Sequence, residues 1–167
     1  MREYQHIDHE LPPYVPSGAR VLILGTMPSP KSREVGFYYG HPQNRFWKAL
    51  SGAFGENVPV STEEQKAFLE RHKIALWDTL ASCEIHGADD ASIRRPVAND
   101  LQPILSTQPI QAIFTTGKKA ADYYERLILP NTGIPATTLP SPSPANCRYH
   151  TVETLTEAYR AVCRYCP

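Results

Sequence analysis

The sequence contains no apolar run approaching the roughly 20 residues needed to cross a bilayer, which excludes a helical membrane span. It has no excess of either charge, with seventeen Lys and Arg against seventeen Asp and Glu. That balance excludes a protein that coats nucleic acid through bulk positive charge, although a local basic patch can still contact phosphates. Cysteine is scarce. Cys83, Cys147, Cys163 and Cys166 do not make a disulfide framework. Cys163-x-x-Cys166 has the spacing of half a zinc site and no second closely spaced pair to complete it, so neither metal nor cofactor is expected. The opening MREYQHIDHELPPY carries acids and histidines where a secretory signal would be apolar. A cytoplasmic chain with reduced thiols is therefore expected. Internal repeats and low-complexity segments are also lacking.

What is present suits one globular domain over residues 1–167, with 41% apolar and 20% charged residues. Arg20-Val-Leu-Ile-Leu-Gly25 reads as a buried strand stopped by glycine. Residues 26–43, rich in Gly, Pro and Ser, read as a loop. A helix follows from Asn44, a natural N-cap, towards Gly55. Ser61 opens a second helix with acids in its first turn, running to His72. Lys73-Ile-Ala-Leu-Trp77 is a second strand ending at Asp78, and residues 82–96 form a long polar connection. Residues 100–106 form a short helix, residues 111–116 a third strand, and residues 117–126 a third substantial helix. Residues 136–139 make a fourth strand, and a closing helix spans residues 151–164. Strands alternating with helices predict an α/β fold, a three-layer α/β/α sandwich around a mostly parallel four-stranded sheet. Ligands in such folds bind beyond the carboxyl ends of the strands. Two constrained loops meet that condition, residues 26–43 and residues 141–146.

In order along the chain these loops read Gly25-Thr-Met-Pro-Ser29, then Gly36-Phe-Tyr-Tyr-Gly-His-Pro-Gln-Asn-Arg-Phe-Trp47, then Leu139-Pro-Ser-Pro-Ser-Pro-Ala-Asn146. The set resembles the motifs of the uracil-DNA glycosylase superfamily, and GFYYGHPQNRFW with the serine-rich last motif is most similar to the hypoxanthine-DNA (deoxyinosine) glycosylase branch. The resemblance spans nearly the whole chain. It implies a monofunctional enzyme that hydrolyses the N-glycosidic bond of a flipped, deaminated base in double-stranded DNA. It departs from the mismatch-specific branch at one position. There a water-positioning asparagine stands two residues after the leading glycine, where this chain has Met27, and a thioether cannot orient water in that way. The resemblance places that role on Asn44 instead.

Each implied role has an ordinary alternative. Phe37, Tyr38 and Tyr39 offer stacking surface for a flipped base, worth roughly 1–3 kcal/mol per base, with Tyr39 at the family's stacking position. Phe37 in particular can equally pack in the core. Gly25 admits close backbone approach, and the amides of Thr26, Met27, Pro28 and Ser29 bound a turn that would face the base edge, proline offering no donor. Asn44 can position water or cap the helix through the amide of Phe46 or Trp47. His41 can donate to base or phosphate, or simply hold the loop. Arg45, Phe46 and Trp47 anchor the helix. Ser141, Pro142, Ser143, Pro144, Ala145 and Asn146 make a stiff loop for the minor groove, or else a polyproline linker. Arg148, Lys118 and Lys119 are candidate phosphate contacts. Asp78 is a second candidate water activator, as are Asp89 and Asp90 more weakly. No lysine lies within the three motifs, which disfavours a lyase. The alternatives in function are a uracil-preferring enzyme of the same fold, a non-catalytic damaged-DNA recognition module and a hydrolase of free nucleosides. Nothing in the sequence calls for more than a monomer.

Overall fold

The alternation of apolar side chains in Val21–Gly25 sets the architecture. Every residue of this strand is buried. Val21 and Ile23 point into one apolar cluster, Leu22 and Leu24 into another on the opposite face. A strand with both faces covered must be central and hydrophobic throughout. Burying each such side chain contributes roughly 1.5–3 kcal/mol.

The computed structural model describes residues 3–87 and 89–167, so Met1, Arg2 and Ala88 lie outside the described residues. The strands are β1 (Gln5–Asp8), β2 (Val21–Gly25), β3 (Ile74–Asp78), β4 (Leu80–His86), β5 (Asp89–Ala98), β6 (Ala112–Thr116) and β7 (Ala136–Leu139). The helices are α1 (Pro30–Val35), α2 (Phe46–Ala53), α3 (Thr62–His72), α4 (Gln102–Thr107), α5 (Lys118–Tyr123), α6 (Leu129–Thr132) and α7 (Val152–Cys163). The central sheet runs β3-β2-β6-β7, and every neighbouring pair is parallel. The expected sandwich around a parallel four-stranded sheet is the fold observed. One face is covered by α2 and α7, through Phe46, Leu50, Leu155 and Tyr159, together with Phe68 and Leu69 of α3. The other is covered by Leu101, Ile104, Tyr124 and Ile128.

Three readings need correction. Residues 82–96 are not a polar connection: they form most of β4 and β5, which with β1 make an antiparallel sheet in the order β1-β4-β5. The strand pattern was hidden because register shifts at Leu80/Ser82, Ser82/Glu84 and Glu84/His86 break the alternation, and β5 is mostly exposed. Residues 26–43 are not loop throughout, since α1 lies within them. The Ser29 side chain caps it by accepting from the Ser32 amide at 3.1 Å, Pro30 occupies its first position, and Gly36 ends it. The third substantial helix does not stop at Arg126. A wider π turn over Tyr124–Ile128 carries it into α6, which ends at Gly133.

Candidate active site

The carboxyl ends of the parallel strands converge on one cavity of about 350 Å³. β2 brings Gly25, β3 brings Asp78, β6 brings Thr116, and β7 leads into Ser141. Ligand sites form at this end of open α/β sheets because the strand-to-helix loops and their free amides gather there. The volume is that of a small-molecule site.

Gly25 makes the floor possible. A methyl group at its position would stand 2.5 Å from Asp78 Oδ1 and 3.3 Å from the Tyr39 hydroxyl. Asp78 is buried, and its Oδ2 accepts from His9 Nε2 at 2.8 Å. The backbone carbonyl of Asp78 accepts from the Asn99 side chain at 2.9 Å. His9 thereby holds the carboxyl through Oδ2 and Asn99 holds the strand end beneath it, leaving Oδ1 towards Gly25. Thr26, Met27, Pro28 and Ser29 line the cavity beyond it.

The three aromatics divide. Phe37 lies in the core, stacked on Trp47, and is not part of the cavity wall. Tyr38 is 3% exposed, borders the cavity and donates from its hydroxyl to the Pro12 carbonyl at 2.9 Å. Tyr39 also borders it, held with φ 55° in the left-handed region, a conformation that costs about 1–2 kcal/mol outside glycine. Its ring lies on Phe46, centroids 3.7 Å apart and planes 8° from parallel, and its hydroxyl is 3.1 Å from Thr116 Oγ1. Burial, then the Asp78 carboxyl, pushes the Tyr39 phenol far above the ordinary tyrosine range. It therefore stays protonated. One face of the ring is occupied by Phe46, and the residue borders the cavity as a rigid plate.

Asn44 borders the same cavity. Its Oδ1 accepts from the Phe46 amide at 2.9 Å, two residues on, while the N-cap position of α2 falls on Arg45 and not on Asn44 as expected. A carbonyl oxygen has two lone pairs, and this bond uses one. The bond thus fixes the orientation of the amide while leaving acceptor capacity. His41 Nδ1 accepts from the Gln43 amide at 3.1 Å, which puts the ring proton on Nε2.

The serine-proline loop is bound to itself and to α2. Ser143 N donates to Ser141 Oγ at 3.2 Å, Ala145 N to Ser143 Oγ at 3.2 Å, and Asn146 Nδ2 to Ser141 O at 3.0 Å. Arg45 ties the two motifs together. Its amide donates to Pro142 O at 3.0 Å, its guanidinium donates to Ser143 O at 3.1 Å, and the other terminal nitrogen donates to His150 O. Ser141 to Ala145 border the cavity, whereas Asn146 is turned back into its own loop and Arg148 is exposed outside it.

Sequence reasoning missed the second sheet's share of the wall apart from Asp90, a weak candidate placed in a polar connection. Ile7, Ile85, Gly87 and Asp90 border the cavity from the β1-β4-β5 sheet, and Ser32 and Arg33 do so from α1. The paired acids Asp89-Asp90 after a glycine were the one visible signal; the pairing of β1 with β4 is a tertiary event. Solvent reaches Asp90, yet its carboxyl stands in a concavity crowded with protein atoms. That desolvation, then the Asp78 and Asp89 carboxyls, raises it to about 6, while Lys119 and the Thr26 side chain pull it partly back. Among the described residues no three His, Cys, Asp or Glu side chains gather as a metal ion would require, and no helix is long and apolar enough to cross a membrane.

Residues 12–163 match the model of the uracil DNA glycosylase superfamily. The chain belongs to that superfamily. It is a DNA glycosylase, and DNA is its substrate. A hypoxanthine DNA glycosylase of Methanosarcina acetivorans is 32% identical over 145 residues, 86% of this chain and 90% of the relative. A second, from Methanosarcina barkeri, is 32% identical over 139 residues, 82% of this chain and 87% of the relative. The fold is also that of a Methanosarcina acetivorans protein solved by solution NMR and proposed to be a uracil DNA glycosylase. The TM-score is 0.76 with 30% identity, covering 91% of this chain and 96% of that one. In this superfamily member all three motifs quoted above meet at one cavity.

Proposed function

We propose that this glycosylase is monofunctional and removes hypoxanthine from deoxyinosine in double-stranded DNA, starting base-excision repair. The observation that carries the reading is the meeting of Asn44, Tyr39 and residues 25–29 around one strand-end cavity, with Asn44 oriented by its own bond to the Phe46 amide. The two relatives named for hypoxanthine support the choice of base.

The deoxynucleotide must first leave the duplex stack, at a cost of a few kcal/mol. The flipped base enters against Tyr39, with Tyr38 and His41 beside it, and meets the backbone of Thr26, Met27, Pro28 and Ser29 along its edge. Gly25 leaves the space for that approach. Asn44 Oδ1 accepts from the attacking water with its remaining lone pair and turns the water oxygen towards C1′. As the C1′–N9 bond lengthens, positive charge builds on the sugar and negative charge on the base, so fixed dipoles supply much of the stabilisation. Ser141 to Asn146 press on the minor groove, Ala145 offering a small apolar tip, and Arg148 contacts phosphate. The enzyme acts as a monomer in the cytoplasm on duplexes holding a damaged or mismatched base.

End-labelled duplexes with a single deoxyinosine, uracil, xanthine or thymine mismatch, scored for abasic sites after alkali, test this reading. Deoxyinosine is cleaved fastest, and folded Asn44→Ala is slower by about 10²–10³, by analogy with the loss of one preorganised polar contact. Faster release of uracil would move the enzyme to the uracil-preferring reading. Tight binding with no abasic product would make it a recognition module. Near-full activity in Asn44→Ala would remove the water role and turn attention to Asp78.

A further inference from the structure

The β1-β4-β5 sheet turns one acid towards a cavity whose proposed chemistry does not use it. Asp90 stands near the start of β5 and borders the cavity together with Gly25, Thr26 and Asn44. It lies close enough to the Thr26 side chain, which belongs to the turn expected to face the base edge, for that side chain to favour its charged form. From the glycosylase reading above, we infer that Asp90 is a further catalytic residue, the general acid that protonates a ring nitrogen of the departing purine.

The chemistry gives such an acid a purpose. A purine linked through N9 keeps unprotonated ring nitrogens, and a proton on one of them lets the base leave neutral rather than as an anion. In the step, the C1′–N9 electron pair retreats onto the base while the Asp90 proton moves to the ring nitrogen. The water held by Asn44 bonds to C1′ through its oxygen. Its released proton passes to solvent at the cavity mouth, from which Asp90 is reprotonated. The products are hypoxanthine and an abasic deoxyribose, and no other reactant is needed.

The surroundings of Asp90 keep its carboxyl protonated well above the ordinary carboxylate range, up to about pH 6, and poise it as an acid there. Asp78 faces it from β3 and Asp89 from its own strand, both disfavouring a further negative charge. Cys83 of β4 and Tyr123 of α5 are close enough for the Asp90 charge to raise them in turn. Opposing this are Lys119 of α5, which acts on Asp90, and Arg33 of α1, which acts on neighbouring Cys83. Crowding by protein atoms is the largest cause and the acids add to it, so the carboxyl is raised to about 6 while remaining open to proton exchange.

The test is a set of single-turnover rates on a deoxyinosine duplex from pH 4.5 to 8.5, for wild type, Asp90→Asn and Asp90→Glu. Wild type loses rate as pH rises above about 6. Asp90→Asn is slower by about 10² at the acid end, and its profile above pH 6 is flat, the low end of what positioned acid catalysis supplies. Asp90→Glu restores the falling limb. An unchanged Asp90→Asn profile overturns the inference, as does a loss of equal size at every pH, which would mark a structural role. If wild type releases no base from any duplex, the proposed function fails and this inference fails with it.

Discussion

Gly25 shows how one missing side chain shapes the cavity. Its hydrogen faces Asp78 Oδ1 and the Tyr39 hydroxyl, both held by partners that resist movement, His9 and Thr116 respectively. Gly25→Ala is expected to cost about 1–3 kcal/mol through overpacking and to lower kcat/KM for base release at least tenfold. Urea melts and single-turnover rates measure the two effects separately. Asp90 carries a different cost. A carboxyl raised in the folded state binds its proton more tightly there than in the unfolded chain. Stability therefore falls as pH rises from the ordinary carboxylate range through about 6, and stays lower above it. Asp90→Asn removes that cost and should raise Tm at pH 7.5, with the gain vanishing near pH 4. The gain should stay below about 1 kcal/mol, because solvent reaches the group and screens it. A higher Tm with lower activity would be the mark of a site residue rather than a structural one.

At the level of elements, the working unit is two loops locked together by one residue. Arg45 opens α2 and reaches Pro142, Ser143 and His150 in the segment before α7. Its buried Nε has no partner in this arrangement, so the terminal nitrogens carry the contact. Arg45→Ala should free the serine-proline loop without unfolding the chain, raising KM for a deoxyinosine duplex about tenfold while changing kcat less. Steady-state kinetics and faster proteolysis near Ser143 would show it; an unchanged KM would mean that the loop holds itself through Ser141 and Asn146. The helices around this unit were legible because their signals are local. Ser61 with Glu63 and Glu64 starts α3, and Asn44 bonds to the Phe46 amide from one residue before the N-cap position of α2. α1 was hidden in a Gly-, Pro- and Ser-rich stretch although Ser29, Pro30 and Gly36 are cap residues of the right kind. β4 and β5 were hidden because bulges erase the alternation on which strand reading depends.

For the whole molecule, a net charge of zero leaves phosphate contacts to local basic residues rather than to bulk positive charge. Lys118, Lys119 and Arg148 are exposed and are the candidate contacts. With about three phosphates neutralised, log K should fall against log salt with a slope of about −3. Fluorescence anisotropy on an undamaged duplex between 50 and 200 mM salt measures it; a slope of about −6 or steeper would demand a basic face beyond these three residues. Such holding would place more of the recognition on the cavity and on the serine-proline loop proposed to meet the groove.

The sequence by itself determined the central sheet, its layers and the motifs. Val21 to Leu24 are apolar on both faces, as a strand covered by layers on each side requires, and Gly25, Tyr39 and Asn44 stand at motif positions that can be read without coordinates. Tertiary structure alone decided which of three consecutive aromatics faces the core, and Phe37 goes inward against Trp47. It alone set His9 against Asp78, 69 residues apart, and brought Asp90 to the cavity on a sheet that joins the β4-β5 pair to the distant β1. The physical reason is range. Caps, turns and strand periodicity act over a few residues, whereas the electrostatics of a cavity depend on which distant charges the packed sheets leave facing one another.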